Sequence, residues 1–289
     1  MFGVSHTLFR PPAEADSLIL RVADGCPWNG CTFCGMYKGV PYKFHGVEKA
    51  EREFAKAAKQ WPGAQRIFLA DGDVMHLDFQ TLEPMLVSLN EKFPRLARVS
   101  VYANGTSILA KTDGELRRLK ELKLHTLYMG LESGNDETLR AVNKRESAGQ
   151  MIEAGRRAQA AGLRMSVMVL IGLAGARGSF RHAQATAAVL NQMQPRLLSA
   201  LRLVTTPNTP LYRSGFTMLT EQEAVAELRE LIRGLELEQT VFRADHSSNI
   251  VPLEGRFPKD KERLVALLDA LLASGRLDQK SPGRLPWSL

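Results

Sequence analysis

Six short runs rich in β-branched and aliphatic residues alternate with amphipathic stretches over the first 205 residues of this 289-residue chain, and that alternation constrains the fold more than anything else. The predicted strands are Leu18–Val22, Arg66–Ala70, Arg98–Tyr102, Thr126–Leu131, Arg164–Ile171 and Leu197–Val204. Helical periodicity falls between them, at Val47–Gln60, Asp78–Phe93, Gly114–Leu122, Ser147–Ala161 and Ser179–Met193. Strands this apolar are buried on both faces, which predicts an α/β fold with a parallel sheet covered by helices. The spacing alone leaves open whether that sheet is flat-edged or curls into a barrel. No glycine-rich phosphate loop comes after the first strand, which argues against a dinucleotide-binding sheet.

The pattern changes after Val204. Thr205-Thr-Pro-Asn-Thr-Pro210 is rich in turn formers, and beyond it come a helix at Glu221–Leu235, a short strand at Gln239–Arg243 and a helix at Lys259–Ala273. The tail from Gln279 to Leu289 is irregular. Residues 1–205 are read as a core and 206–289 as an extension packed on it rather than an independent domain.

The segment leaving the first strand holds every cysteine of the chain, Cys26-Pro-Trp-Asn-Gly-Cys31-Thr-Phe-Cys34. Three thiolates from one short loop suit a soft metal centre but do not fill four tetrahedral positions. On a four-iron cubane they would leave one iron open to an outside ligand. Taken alone, the triplet also leaves open an incomplete zinc site or a group of buried thiols. An odd, clustered cysteine count argues against a secreted disulfide framework and for a reducing cytoplasm. The opening Met1–Arg10 has no sustained apolar core of the signal-peptide kind. No apolar stretch approaches the roughly 20 residues that span a bilayer, so no membrane partner is expected. The 38 Lys+Arg against 31 Asp+Glu give a net charge of +7. That balance favours anionic partners, yet no arginine-rich arm points to nucleic acid, which is not favoured.

In parallel α/β folds the chemistry gathers at the C-terminal ends of the strands. Here those ends carry, in order, the cysteine loop, Asp71-Gly72-Asp73, Asn104-Gly105, Gly130-Leu-Glu132-Ser133-Gly134 and Gly172-Leu-Ala-Gly175. With these residues the chain resembles the radical S-adenosylmethionine (radical SAM) superfamily. That resemblance implies a partial (β/α)6 TIM-type barrel with a short C-terminal α/β extension. It also implies a [4Fe-4S] cluster on Cys26, Cys31 and Cys34, whose open iron takes up S-adenosylmethionine (SAM), and an enzyme that cleaves SAM to a 5′-deoxyadenosyl radical. Phe33, directly before the last cysteine, matches the family habit. The loop departs from the family spacing, with four residues rather than three between Cys26 and Cys31; a tight turn at Pro-Trp-Asn-Gly would absorb the extra one.

By the same resemblance, Asp73 takes the place of the acidic residue that meets the SAM amino group, the alternative being a solvated turn. Glu132 and Ser133 match the segment that meets the ribose hydroxyls, and Gly172 begins the loop against which adenine packs. Asn104 is either a SAM hydrogen-bonder or a strand terminator. Gly-Leu-Glu-Ser-Gly134 and Thr-Pro-Asn-Thr-Pro-Leu-Tyr212 resemble the branch around anaerobic coproporphyrinogen dehydrogenase and its relatives of unassigned substrate.

With no further cysteine, a cysteine-bound auxiliary cluster is not expected, nor the sulfur insertion that the family performs with one. The implied partners are a one-electron donor of flavodoxin or ferredoxin type and an anionic small-molecule substrate. An RNA-modifying radical SAM enzyme and a noncatalytic iron–sulfur or heme-handling protein are the alternatives. Two catalytic candidates lie on the substrate side. Arg202 is a cation within an apolar strand, suited to a carboxylate or phosphate or else facing solvent from an edge. His246, in Asp245-His-Ser-Ser-Asn249, is an acid/base candidate or part of a capped turn, with the capped turn slightly favoured.

Overall fold

Strands and helices form in the predicted alternation. The computed structural model describes residues 7–286, so Met1–His6 of the opening segment and Trp287–Leu289 of the tail lie outside the described residues. In chain order the elements are β1 (Leu18–Arg21), β2 (Ala23–Asp24), β3 (Lys43–Phe44), α1 (Val47–Gln60), β4 (Arg66–Ala70), α2 (Phe79–Lys92), β5 (Arg98–Tyr102), α3 (Gly105–Leu109) and α4 (Asp113–Glu121). They continue as β6 (Leu124–Glu132), α5 (Asp136–Ala141), α6 (Ala148–Ala160), β7 (Arg164–Ile171), α7 (Gly175–Met193), β8 (Leu197–Arg202), α8 (Pro210–Arg213), α9 (Glu221–Gly234), β9 (Val241–Ala244), β10 (Leu253–Arg256) and α10 (Lys261–Ala273).

Three differences from the sequence reading matter for function. β6 runs on to Glu132, so that residue ends a strand rather than opening a loop. α7 starts at Gly175, four residues before the predicted Ser179, because two glycines there mask the helical pattern. The short α3, α5 and α8 escape prediction because so few residues carry little periodicity, although Asn135 and Thr209 cap the latter two. β2 and β3 pair antiparallel, with Ala23 opposite Phe44, and close the cysteine-bearing segment into a loop.

The chain divides into two compact units. The first comprises the residues through Asn29, Cys34–Met129 and Ala154–Met165. In it β1, β4, β5 and β6 pair parallel in that order. Ile67, Leu69, Val99, Val101 and Leu127 alternate along the strands and are fully buried. On the other parity Phe68, Tyr102 and Tyr128 meet edge-to-face at centroid distances of 5.2–6.2 Å. α1 packs on α2, and α2 starts on Asp78, whose side chain accepts from the Thr81 N–H as an N-cap.

The second unit comprises Gly30–Phe33, Gly130–Glu153 and the residues from Ser166 onward. β7 pairs parallel with β8, β8 parallel with β9, and β9 antiparallel with β10. The predicted strand at Gln239–Arg243 is therefore present, at Val241–Ala244, continuing the sheet beside β8. α7 packs against α9, and α9 against α10, through Ala224, Val225, Leu228, Leu231 and Ile232 of α9. Among the described residues no helix is long and apolar enough to cross a membrane. The fold is α/β with mostly parallel strands, as the alternation requires.

Candidate active site

The cysteine loop is anchored at both ends. Gly25, at φ 75, brings its would-be Cβ within 3.0 Å of the Val40 and Pro41 carbonyls, a conformation and approach suited to glycine. Asn29 takes the left-handed φ of 44 at the expected site of the extra residue, and its Nδ2 donates to the Tyr37 carbonyl at 2.7 Å. In the second unit, the Asn143 Nδ2 donates to the Gly30 carbonyl (3.0 Å) and the Thr32 N–H to the Val142 carbonyl (2.9 Å). Phe33 packs into an apolar cluster with Val142, Leu173, Leu203, Leu211 and Phe216, so its first role is to pin the loop. All three cysteines are half-buried and none is in a disulfide.

Among the described residues no three His, Cys, Asp or Glu side chains gather around a point suited to one metal ion. A cubane receives its thiolates at separate irons, so its donors stand farther apart than those of a single ion. Three thiolates from one loop are the donor chemistry of a four-iron cubane with one iron left open.

Behind the loop lies the end of β4. Gly72 donates its N–H to the Gly25 carbonyl at 3.0 Å, and a Cβ there would fall 2.6 Å from the Cys26 Cβ. Only glycine fits so close an approach. Asp71 is fully buried at φ 91, with Oδ2 3.1 Å from the Arg21 Nε, which makes it an internal structural charge. Asp73 is also buried, and its Oδ2 accepts from the Asn104 Nδ2 (3.0 Å) and the Ser107 Oγ (2.5 Å). The solvated-turn alternative for Asp73 therefore falls. Asn104, the second candidate here, is the residue that meets it. Burial, then the charges of Asp73 and Cys26, push the Tyr42 hydroxyl up to about 12, which marks these groups as electrostatic neighbours. Lys111, not singled out from sequence, is buried beside them; its Nζ donates to the Met75 carbonyl at 2.6 Å.

At the end of β6, Glu132 adopts φ 61, an uncommon conformation for a residue with a Cβ. Its carboxylate lies 3.4 Å from the Lys144 Nζ. Burial pushes the Glu132 carboxyl up against the pull of Lys144. On Lys144 burial acts downward, but Glu132, Cys31 and Glu146 outweigh it and hold the ammonium charged. This cation is thus an electrostatic neighbour of both the cysteine loop and the end of β6. Gly130 leaves the space into which the Glu132 carboxylate folds, since a Cβ there would overlap Oε1. The Ser133 Oγ is buried and accepts from the Asn135 N–H at 3.0 Å, so it braces the turn into α5. Lys144 eluded the sequence reading because its place depends on the six-residue α5.

Gly172, at the end of β7, has φ 90 and donates its N–H to the Glu227 carboxylate at 2.7 Å. The substrate-side candidates meet at one turn. Arg202 is buried, and its Nε and Nη1 donate to the Ser248 and Pro282 carbonyls at 2.8 and 2.7 Å. Arg202 therefore does not face solvent, which corrects that alternative, and two of its donors clamp two backbone segments. The His246 Nδ1 accepts from the Ser248 N–H at 3.2 Å and lies 2.8 Å from the Ser248 Oγ, the geometry of a capped turn. Burial lowers the His246 pKa against the pull of Asp245, so the ring is neutral near pH 7 with its proton on Nε2.

Comparison with known proteins bears on the family and the fold. The model of the radical SAM superfamily matches residues 20–175, more than half of the chain. No curated protein matches the sequence. Among solved structures, methylornithine synthase (PylB) superposes with a TM-score of 0.54 at 15% identity, over 88% of this chain and 81% of that one. Coproporphyrinogen III oxidase (HemN) from Escherichia coli, a radical SAM enzyme, gives 0.56 at 17% identity over 75% and 51%. The radical SAM methyltransferase TsrM from Kitasatospora setae, solved with cobalamin and a [4Fe-4S] cluster, gives 0.56 at 15% identity over 70% and 41%. The chain thus spans most of the first and about half or less of the other two, and at these identities the likeness is one of fold, the partial barrel. The match over the cysteine loop and four strand ends places the chain in the radical SAM superfamily, as an enzyme that uses a [4Fe-4S] cluster and S-adenosylmethionine.

Proposed function

We propose that this enzyme abstracts hydrogen from an anionic small molecule, and that its cofactor-binding residues are Cys26, Cys34, Asp73 and Asn104 in the first unit and Cys31, Glu132 and Lys144 in the second. When bound, the cluster and SAM together supply one-electron cleavage of the sulfonium, giving a 5′-deoxyadenosyl radical. The three cysteines hold the cluster. Asp73, oriented by Asn104 and Ser107, is a buried carboxylate suited to an ammonium group. Glu132 is a bidentate acceptor suited to a ribose diol, and Lys144 is a cation suited to the SAM carboxylate. Gly172, buried at the end of β7 with φ 90, shapes the turn that would meet the nucleobase. Neutral His246, with its proton on Nε2, acts as a hydrogen-bond donor toward substrate, and Arg202 holds the turn that carries it.

The observation that carries this reading is the Lys144 ammonium, electrostatically joined to both Cys31 and Glu132. Nothing in a plain structural loop calls for a buried cation beside a thiol and a strained glutamate. The basic balance of +7 supports an anionic substrate, and the clustered cysteines support a cytoplasmic setting with a flavodoxin- or ferredoxin-type electron donor.

Anaerobic reconstitution tests the reading. About four iron and four sulfide per chain, with 5′-deoxyadenosine formed from SAM and dithionite, is the expected result. Bound zinc, or a cluster whose spectrum ignores added SAM, would overturn it. Deuterium carried into 5′-deoxyadenosine from a deuterated metabolite extract would then identify the substrate class.

A further inference from the structure

Glu227 stands at a core-facing position of α9, three residues after buried Ala224 and four before buried Leu231. A carboxylate placed there is costly unless its oxygens are filled. Every donor that fills them comes from the end of β7 or the first half of α7. Oε1 accepts from the Gly172 N–H (2.7 Å) and meets the His182 Nδ1 (2.9 Å), and Oε2 accepts from the Ser179 Oγ (2.5 Å). Glu227 and His182 are each 2% exposed. The His182 Nε2 is buried with no hydrogen-bond partner among the described residues, so the ring's one bond is to this carboxylate. Gly172, turned out of the strand at φ 90, has its N–H fixed by the same oxygen.

We propose that Glu227 is a positioning residue of the nucleotide site. From the C-terminal extension it fixes the Gly172–Gly175 turn, and so the backbone on which the adenine of SAM rests. This rests on the reading of that turn as the adenine contact. Two helices that merely needed packing would have an aliphatic residue at 227, as at 224, 228 and 231. A carboxylate taking three donors from a strand end and the helix after it gives the turn between them a single conformation instead.

Two variants test this. Glu227→Leu keeps volume and helix propensity but removes the acceptors; Glu227→Gln keeps one carbonyl oxygen for Gly172 and His182. Amide hydrogen exchange at Gly172 on the protein as isolated reads the turn directly, and the Kd for SAM on the reconstituted enzyme reads its consequence. Expected for Glu227→Leu are faster exchange at Gly172 and roughly 10-fold weaker SAM binding, the scale of one or two stranded buried donors. Cluster content should hold, and Glu227→Gln should return both readouts to within about 3-fold of the parent. Unchanged exchange at Gly172 in a folded Glu227→Leu protein would overturn the positioning role. Faster exchange with an unchanged Kd would instead overturn the adenine assignment on which it rests. Should Glu227→Leu fail to fold, Ser179→Ala removes one donor alone, and the same two outcomes apply to it.

Discussion

Two carboxylates of the second unit, part-buried Glu132 and fully buried Glu227, differ in how the chain uses them. Glu227 lies on a regular helix with three donors converging on its two oxygens, two of them neutral backbone and hydroxyl groups. Glu132 sits at a left-handed φ and meets one ammonium at 3.4 Å among the described residues. The first is fully satisfied by its own fold. The second bears backbone strain and a raised pKa for a single long contact, the profile of a group held ready for a ligand. Hydrogen-bond satisfaction separates them more sharply than burial does.

The largest expected effect breaks this contrast from the Glu132 side. The double variant Glu132→Gln, Lys144→Met removes both charges of the pair at once, so neither is left facing the other's absence. Stability should stay within about 1 kcal/mol of the parent or rise, while SAM affinity falls roughly 100-fold with the loss of two charge-assisted contacts. Thermal unfolding and equilibrium binding measure the two quantities. Joint loss of both would make Glu132 scaffold and erase the distinction.

Lys144→Met alone sharpens it through pH. Burial raises the folded-state pKa of Glu132, so ionising it opposes folding, and stability falls as pH rises from the ordinary carboxylate range through the raised pKa. SAM binding has the opposite sign, because the ribose contact needs the carboxylate: affinity drops as pH falls through the same window. Lys144 pulls that pKa down, so removing it should move both transitions to higher pH. A binding profile whose midpoint stays where it was would remove Glu132 from the site.

Much of the scaffold was legible because its signals are local. β4, β5, β7 and α1 agree with the sequence reading to the residue, each being a run with a clean period. The strand-end motifs were equally visible, and two of them, Asp73 and Asn104, meet at 3.0 Å. Lys144 and Glu227 were not visible, for different reasons. Lys144 is brought to Glu132 and Cys31 across the short α5, which shows no periodicity. Glu227 did leave a signal, a glutamate on the apolar stripe of α9, but it reads as a polar interruption until the partners from β7 and α7 are known. Arg202 was visible as a charge in an apolar strand, but that its Nε and Nη1 donate to the Ser248 and Pro282 carbonyls was not.

The first unit supplies the next effect. Gly72→Ala would place a Cβ 2.6 Å from the Cys26 Cβ, with backbone atoms of Cys26 and Gly25 as near neighbours. No side-chain rotation relieves a clash with backbone, so the loop must move. A cost of about 1–3 kcal/mol is expected, together with iron content well below that of the parent after reconstitution. Normal iron content would mean that the end of β4 does not set the position of Cys26.

The smallest effect provides the reference for the others. Thr112 caps α4 by accepting from the Glu115 N–H while the Glu115 carboxylate accepts from the Thr112 N–H at 2.7 Å. Thr112→Ala removes one partner of this box at an exposed helix start, for about 1 kcal/mol of stability. Because α4 contributes no side chain to the proposed site, SAM affinity and iron content should match the parent at temperatures well below unfolding. If this loss alone weakened SAM binding, lowered affinity in the Glu132, Lys144 and Glu227 variants would reflect general destabilisation, and the separation of site from scaffold would have to rest on the pH midpoint and the Gly172 exchange rate.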